Sequence, residues 1–395
     1  LSPHDALPIL TESTGAAFFC SAVMRVSFPI RDPFAVVDLP AVVCYIYAIT
    51  DGTKMQEPCW GSDSGETRGA SMKRISIFLA ITFILTWAYE FGVVYPISSG
   101  ALVGVPPVAA QFATGAAMFF PALGVLITRL VTREGFKNSL IKPRGFKKSL
   151  PWFVVAWFGP ALLAAIGAAV YFLAFPQDFD PSMSTIVATQ QQAAAAAGAG
   201  DVSADQVRAM LLAQLPFAVF LGPALNIFTT FGEEWGWRGY LVPKTAARLR
   251  IVPTLLVTGV IWGLWHAPLT IIGHNYGVGY PGWPFAGIAA MCVFCTALGI
   301  FLTYVTVRTG SCLAAAVGHG AINAFVSAGI MFSLTGGNPF VGPMPVGIVG
   351  GSAFIVVAAL MLWDMHRREK AGTLAMPQAG LPDDMTKADL ARTAS

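Results

Sequence analysis

Apolar residues run through this chain in long uninterrupted blocks, with polar residues confined to the gaps between them. Eight blocks reach the roughly 20 residues that a helix needs to cross a ~30 Å hydrocarbon core. They lie near 75–96, 108–130, 151–174, 213–241, 252–272, 284–307, 311–333 and 345–363. Helices are the elements expected, because lipid leaves no backbone group unpaired and the runs are too long for barrel strands. The pattern predicts an all-α, polytopic membrane helix bundle of about eight transmembrane helices. The chain is 55% hydrophobic and 11% charged, with a mean hydropathy of +0.65, well below the quarter charged of soluble domains.

The basic residues fall in alternate gaps. Lys73 and Arg74 precede the first block, and Arg133, Lys137, Lys142, Arg144, Lys147 and Lys148 follow the second. Lys244, Arg248 and Arg250 follow the fourth, Arg308 the sixth, and Arg367, Arg368 and Lys370 the eighth. The opposite gaps are poor in charge or acidic, as with Asp178, Asp180, Asp201 and Asp205. By the positive-inside rule both ends of the bundle lie in the cytoplasm. A net charge of +3, spread among these flanks, gives no nucleic-acid partner. The partners expected are the lipid bilayer and a peptide or protein near it.

Residues 1–71 read differently, with short apolar fragments broken by Pro29, Pro33, Asp38 and Pro40. His4-Asp5-Ala6-Leu7-Pro8-Ile9 resembles the translation of a sequencing adapter, and Met72-Lys73-Arg74 reads as a start. The expected organisation is an artefactual or disordered extension over 1–71, a membrane domain over 72–368 and a disordered cytoplasmic tail over 369–395. The gap at 175–212, with Gln190-Gln191-Gln192 and an alanine run, reads as an interfacial helix or a mobile loop. Six cysteines are too few for a disulfide scaffold, and Cys292 and Cys295 read as two small residues packing within a helix.

Candidate chemistry sits where lipid should be. An ionisable side chain at mid-bilayer costs roughly 2.5–3.5 kcal/mol on insertion scales, and the fourth block holds Glu233, Glu234 and Arg238. Glu234 and Arg238 stand at i, i+4 and can pair, while Glu233 is turned about 100° away. Counted at ~1.5 Å per residue from the nearest basic flank, Glu233 and His319 lie roughly 16 Å deep and His266 roughly 24 Å. His319 and Asn323 share a helix face, and Gly318 and Gly320 let a neighbouring backbone approach. Glu90 is buried in the first block without a partner in sequence. His274 reads as a solvated residue of a Gly-rich outer loop, and His4 and His366 lie outside the membrane. Two acids, a base, two histidines and an amide at similar depth point to an intramembrane site; a proton- or ion-coupled transporter and a catalytically silent scaffold are the competing readings. The transporter lacks the internal repeats it would need.

Glu233-Glu234-x-x-x-Arg238, Trp262-x-x-x-His266 and His319-x-x-x-Asn323, in this order, resemble the CPBP family of intramembrane proteases, which includes CAAX prenyl endopeptidases and bacterial self-immunity (Abi) proteins. The family's second motif commonly carries Phe where Trp262 stands. The resemblance implies an endopeptidase of membrane-associated, CAAX-type or other substrates, and the Ala- and Gly-rich composition of a compact chain points to a prokaryotic plasma membrane. It implies Glu233 as the base that activates water, His266 as the residue that orients it, and His319 and Asn323 as oxyanion donors. Glu234 and Arg238 would support them. It leaves two chemistries open: a metal-independent glutamate, or zinc held by Glu233, His266 and His319. No H-E-x-x-H is present.

Overall fold

In the computed structural model, residues 65–102, 105–106, 108–198, 201–377 and 379 are described. The expectations for 1–64 and for 380–395 fall outside them. Helix α1 (Gly65–Tyr89) continues through a π-helical turn, Glu90–Val94, into Tyr95–Ser98. Next come α2 (Val108–Ala117), α3 (Phe120–Val131), α4 (Phe146–Ala174), α5 (Ser184–Ala196) and α6 (Ala204–Phe220). Helix α7 (Gly222–Gly236) runs through a second π turn, Trp237–Leu241, into Val242–Ala246. The remainder are α8 (Ile251–Trp265), α9 (Ala267–Ile271), α10 (Phe285–Thr309), α11 (Cys312–Phe325) and α12 (Ser352–Lys370). The described residues form no strand, only two isolated bridges. The fold is all-α, and the 175–212 gap is largely helical.

The count of eight spans is not what the helices give. Among the described residues, five helices are long and apolar enough to cross a membrane: Met72–Ser98, Val108–Val131, Phe146–Ala174, Phe285–Thr309 and Cys312–Phe332. A sixth arises only if α6 and α7, bent by 58°, count as one span. Local chemistry explains the difference. The expected span 213–241 breaks at Leu221, where Pro223 opens α7 without an N–H to continue the ladder. The expected span 252–272 stops at Trp265, because Pro268 interrupts the turn that follows. The span expected from 345 begins at Ser352, after a turn-rich segment, and its second half carries Asp364, Arg367, Arg368 and Lys370.

Helix α11 is the central element and packs on α7, α4 and α10. Its small residues allow this: Ala314, Ala315 and Ala316 are fully buried. A Cβ on Gly318 would lie 2.9 Å from Leu302, and one on Gly320 would lie 3.0 Å from the Pro223 carbonyl. Helix α8 meets α10 through a stripe four residues apart. A Cβ on Gly259 would come within 2.5 Å of Thr296, and one on Gly263 within 2.4 Å of Cys292. The backbones therefore touch, as small-residue stripes allow in membranes.

Polar clasps close both ends. At one, Glu134 pairs with Lys244 at 2.5 Å and accepts the Tyr240 hydroxyl at 2.9 Å, fixing the α3–α4 loop to α7. At the other, buried Asp178 accepts from Tyr171, Ser333 and Thr335, tying the end of α4 to the segment after α11. Burial pushes the Asp178 carboxyl up, but these donors outweigh it and hold the group below its ordinary value.

The glycine stripe sets a stability expectation. Gly259→Leu and Gly263→Leu should each destabilise the bundle by roughly 1–3 kcal/mol through overpacking. Gly115→Ala, which meets nothing within 4 Å, should leave it unchanged or stabilised. Thermal unfolding in detergent compares them; equal midpoints for all four proteins would contradict the packing described.

Candidate active site

Two consecutive carboxylates, Glu233 and Glu234, lie on α7 with 2% and 0% of their surface exposed. Their 100° offset sends them to different partners. Glu233 Oε2 accepts from Trp262 Nε1 at 2.9 Å and from Trp237 Nε1 at 3.3 Å. Its other oxygen, Oε1, accepts no hydrogen bond. Glu234 Oε1 accepts from Arg238 Nη1 and from His319 Nδ1, both at 2.9 Å. The π turn starts at Trp237, so the residues that reach back to the two carboxylates are its first two. Such turns recur at functional sites because they re-aim side chains within an intact helix.

Trp262 on α8 joins the parts. Its indole donates to Glu233, its ring lies 4.0 Å beneath the Arg238 guanidinium, and its edge meets the His319 ring at 5.4 Å. Its carbonyl contacts His266 Nδ1 at 2.9 Å. A carbonyl only accepts, so Nδ1 carries the hydrogen there and Nε2 is the acceptor. The Cys295 sulfur lies 3.8 Å from the same Nδ1, and Trp265 stacks edge-on against the ring at 4.7 Å. His266 ends α8 with 8% exposure. Cys292, Cys295 and Cys312 are free.

The structure thus gathers Glu233, Glu234, Arg238, His266 and His319 into one buried cluster drawn from three helices. Asn323 sits one turn beyond His319 on α11, exposed, and its amide makes no hydrogen bond with the described residues. Sequence reasoning missed the indoles. The signal was present: Trp237 follows Glu233 by four residues and Trp262 precedes His266 by four. His274 is exposed in the loop after α9, as its Gly-rich surroundings predict. The three side chains named as a possible zinc set do not form one. Among the described residues, no three His, Cys, Asp or Glu side chains converge as a metal requires.

The segment that carries this cluster is similar to known proteins. Residues 214–325 match the model of a family described as type II CAAX prenyl endopeptidase Rce1-like, and they contain every motif residue named above. A CAAX prenyl protease 2 from Methanococcus maripaludis is 36% identical over 52 residues. That stretch is 13% of this chain and 19% of the relative, so the chain spans about a fifth of the relative's length. No solved structure matches. The matched segment, which holds the ordered E-E-x-x-x-R, W-x-x-x-H and H-x-x-x-N motifs, is thus similar to the Rce1-like type II CAAX prenyl endopeptidases.

Proposed function

We propose that this protein is an intramembrane endopeptidase in which Glu233 activates water against a peptide bond. One observation carries the reading: a buried carboxylate whose Oε2 is fixed by two indoles, one of them from Trp262, whose carbonyl in turn holds His266. A water between Glu233 Oε1 and His266 Nε2 would find two acceptors for its two hydrogens. Glu233 takes one proton as the water oxygen bonds to the scissile carbonyl carbon. The carbonyl oxygen becomes an oxyanion, and its donors in this reading are His319 Nε2, in an imidazolium that keeps its Nδ1–H on Glu234, and the Asn323 amide. Collapse of the tetrahedral species breaks the C–N bond, and the proton held by Glu233 passes to the leaving nitrogen. Glu234 and Arg238 hold His319 and the π turn in place. Donors preset toward an oxyanion contribute ~2.7–4 kcal/mol, and a positioned base contributes 10²–10⁴-fold.

The substrates proposed are membrane-associated peptides, with prenylated CAAX-type C-termini the first to test. The location proposed is a prokaryotic plasma membrane, with both ends of the bundle in the cytoplasm.

Cleavage of farnesylated and plain membrane-proximal peptides in liposomes tests the assignment. Glu233→Gln should lower kcat by roughly a thousandfold and leave peptide binding intact. Equal cleavage by wild type and variant would sink the proposal. Activity should persist in excess chelator, since the donor set does not suit a metal; loss in chelator with rescue by zinc would overturn that part.

Trp262→Phe restores the residue common in the family and removes the better of the two donors to Glu233 Oε2. It should lower kcat about tenfold, the worth of one hydrogen bond to a charged group, with KM little changed. An unaltered kcat would show that the indole packs but does not position the carboxylate.

A further inference from the structure

Glu90 stands on α1 at the first position of its π turn, 1% exposed. It completes a buried polar stripe with Thr82 and Thr86 at i, i+4 and i+8, both at 0%. That stripe faces the site. Trp265 Nε1 donates to Thr86 at 2.8 Å, and Trp87 Nε1 donates to the Trp265 carbonyl at 3.2 Å. Trp265 immediately precedes His266, and Glu90 lies one turn beyond Thr86. The π turn packs on α9, which starts directly after His266. Glu90 is within electrostatic reach of Glu233.

Neither oxygen of Glu90 meets a donor. A carboxyl in an apolar interior without donor or counter-ion is costly, and a second carboxyl nearby raises that cost. A purely structural glutamate at this depth would have an arginine, a lysine or a hydroxyl on it, as Glu134 and Glu234 do. Both oxygens are instead buried and without a partner, one turn beyond Thr86, whose hydroxyl holds the residue before His266. What meets them must bring donors. No third ligand converges there for a metal among the described residues. An extended peptide brings an N–H every residue, each about 3.4 Å from the next.

We propose that Glu90 is a substrate-binding residue, accepting a backbone N–H of the peptide close to the bond that Glu233 attacks. This rests on the endopeptidase reading above. Glu90 would hold the chain from the α1 side while α11 meets the scissile carbonyl.

The test uses the full chain in liposomes, with a farnesylated CAAX-type peptide and, if that is not cut, a plain membrane-proximal one. Each amide flanking the scissile bond is replaced in turn by an ester, which removes one N–H. Glu90→Met should raise KM about tenfold, the worth of one such hydrogen bond, with kcat changed little. Glu90→Gln, which keeps shape and one acceptor, should fall between it and wild type. One ester position should cost wild type about tenfold and cost Glu90→Met nothing further, whereas the other positions affect both alike. Monodisperse elution checks folding. If Glu90→Met fails to fold, Glu90→Gln decides, with a KM equal to wild type overturning the proposal. Variants and wild type that share KM at every ester position also overturn it. Wild type that cleaves neither peptide overturns the endopeptidase reading instead.

Discussion

A single carboxylate oxygen, Glu234 Oε1, receives both the Arg238 guanidinium and the His319 imidazole. The first contact lies within α7; the second ties α7 to the central helix α11. In an apolar bundle these groups have no water to turn to, so each must serve as the other's solvent. Removing any one would strand the others in low dielectric, which makes the three inseparable. Glu233 is thereby left out of the ion pairing. It is held instead by neutral indole donors, which orient a carboxylate without cancelling its charge. The division between a neutralised acid and an uncancelled one is what gives two adjacent glutamates different work.

Much of this was legible in the sequence, for physical reasons. Long apolar blocks with few charges permit nothing but helices in lipid, and the all-α bundle follows. The Glu234–Arg238 pair was readable because i, i+4 geometry is local. So was the close approach around Gly318 and Gly320, since only small residues flank His319. The count of spans was not readable, because hydropathy averages over a break that one proline or one charged turn creates. Pro223, Pro268 and the charged second half of α12 each altered a boundary while barely altering the local mean.

The site was legible in its charges and not in its aromatics. Tryptophans in membrane segments are too common to single out, and the role of Trp262 depends on α8 lying against α7. That placement is set by Gly259 and Gly263 against α10, two helices removed from the glutamate it serves. Asn323 shows the opposite limit: its spacing from His319 was right, but a shared face does not give a shared environment, and it is exposed where His319 is buried. The partners of Glu90 could not be read at all, since an absent donor leaves no mark on a sequence.

Helix α8 is 15 residues long, which at 1.5 Å per residue gives about 22 Å against a hydrocarbon core near 30 Å. It therefore ends inside the membrane, and His266 is where it ends. Helix α9 adds five residues, about 7.5 Å, before the Gly-rich segment begins, so the irregular backbone at that depth is the turn at His266 itself. Such backbone is tolerated only where it is buried in protein or lines a water-filled cavity. The break at His266 is of the first kind: Trp265, Ala267, Pro268 and Leu269 around it are all buried, so packed side chains rather than lipid surround the turn that carries the histidine.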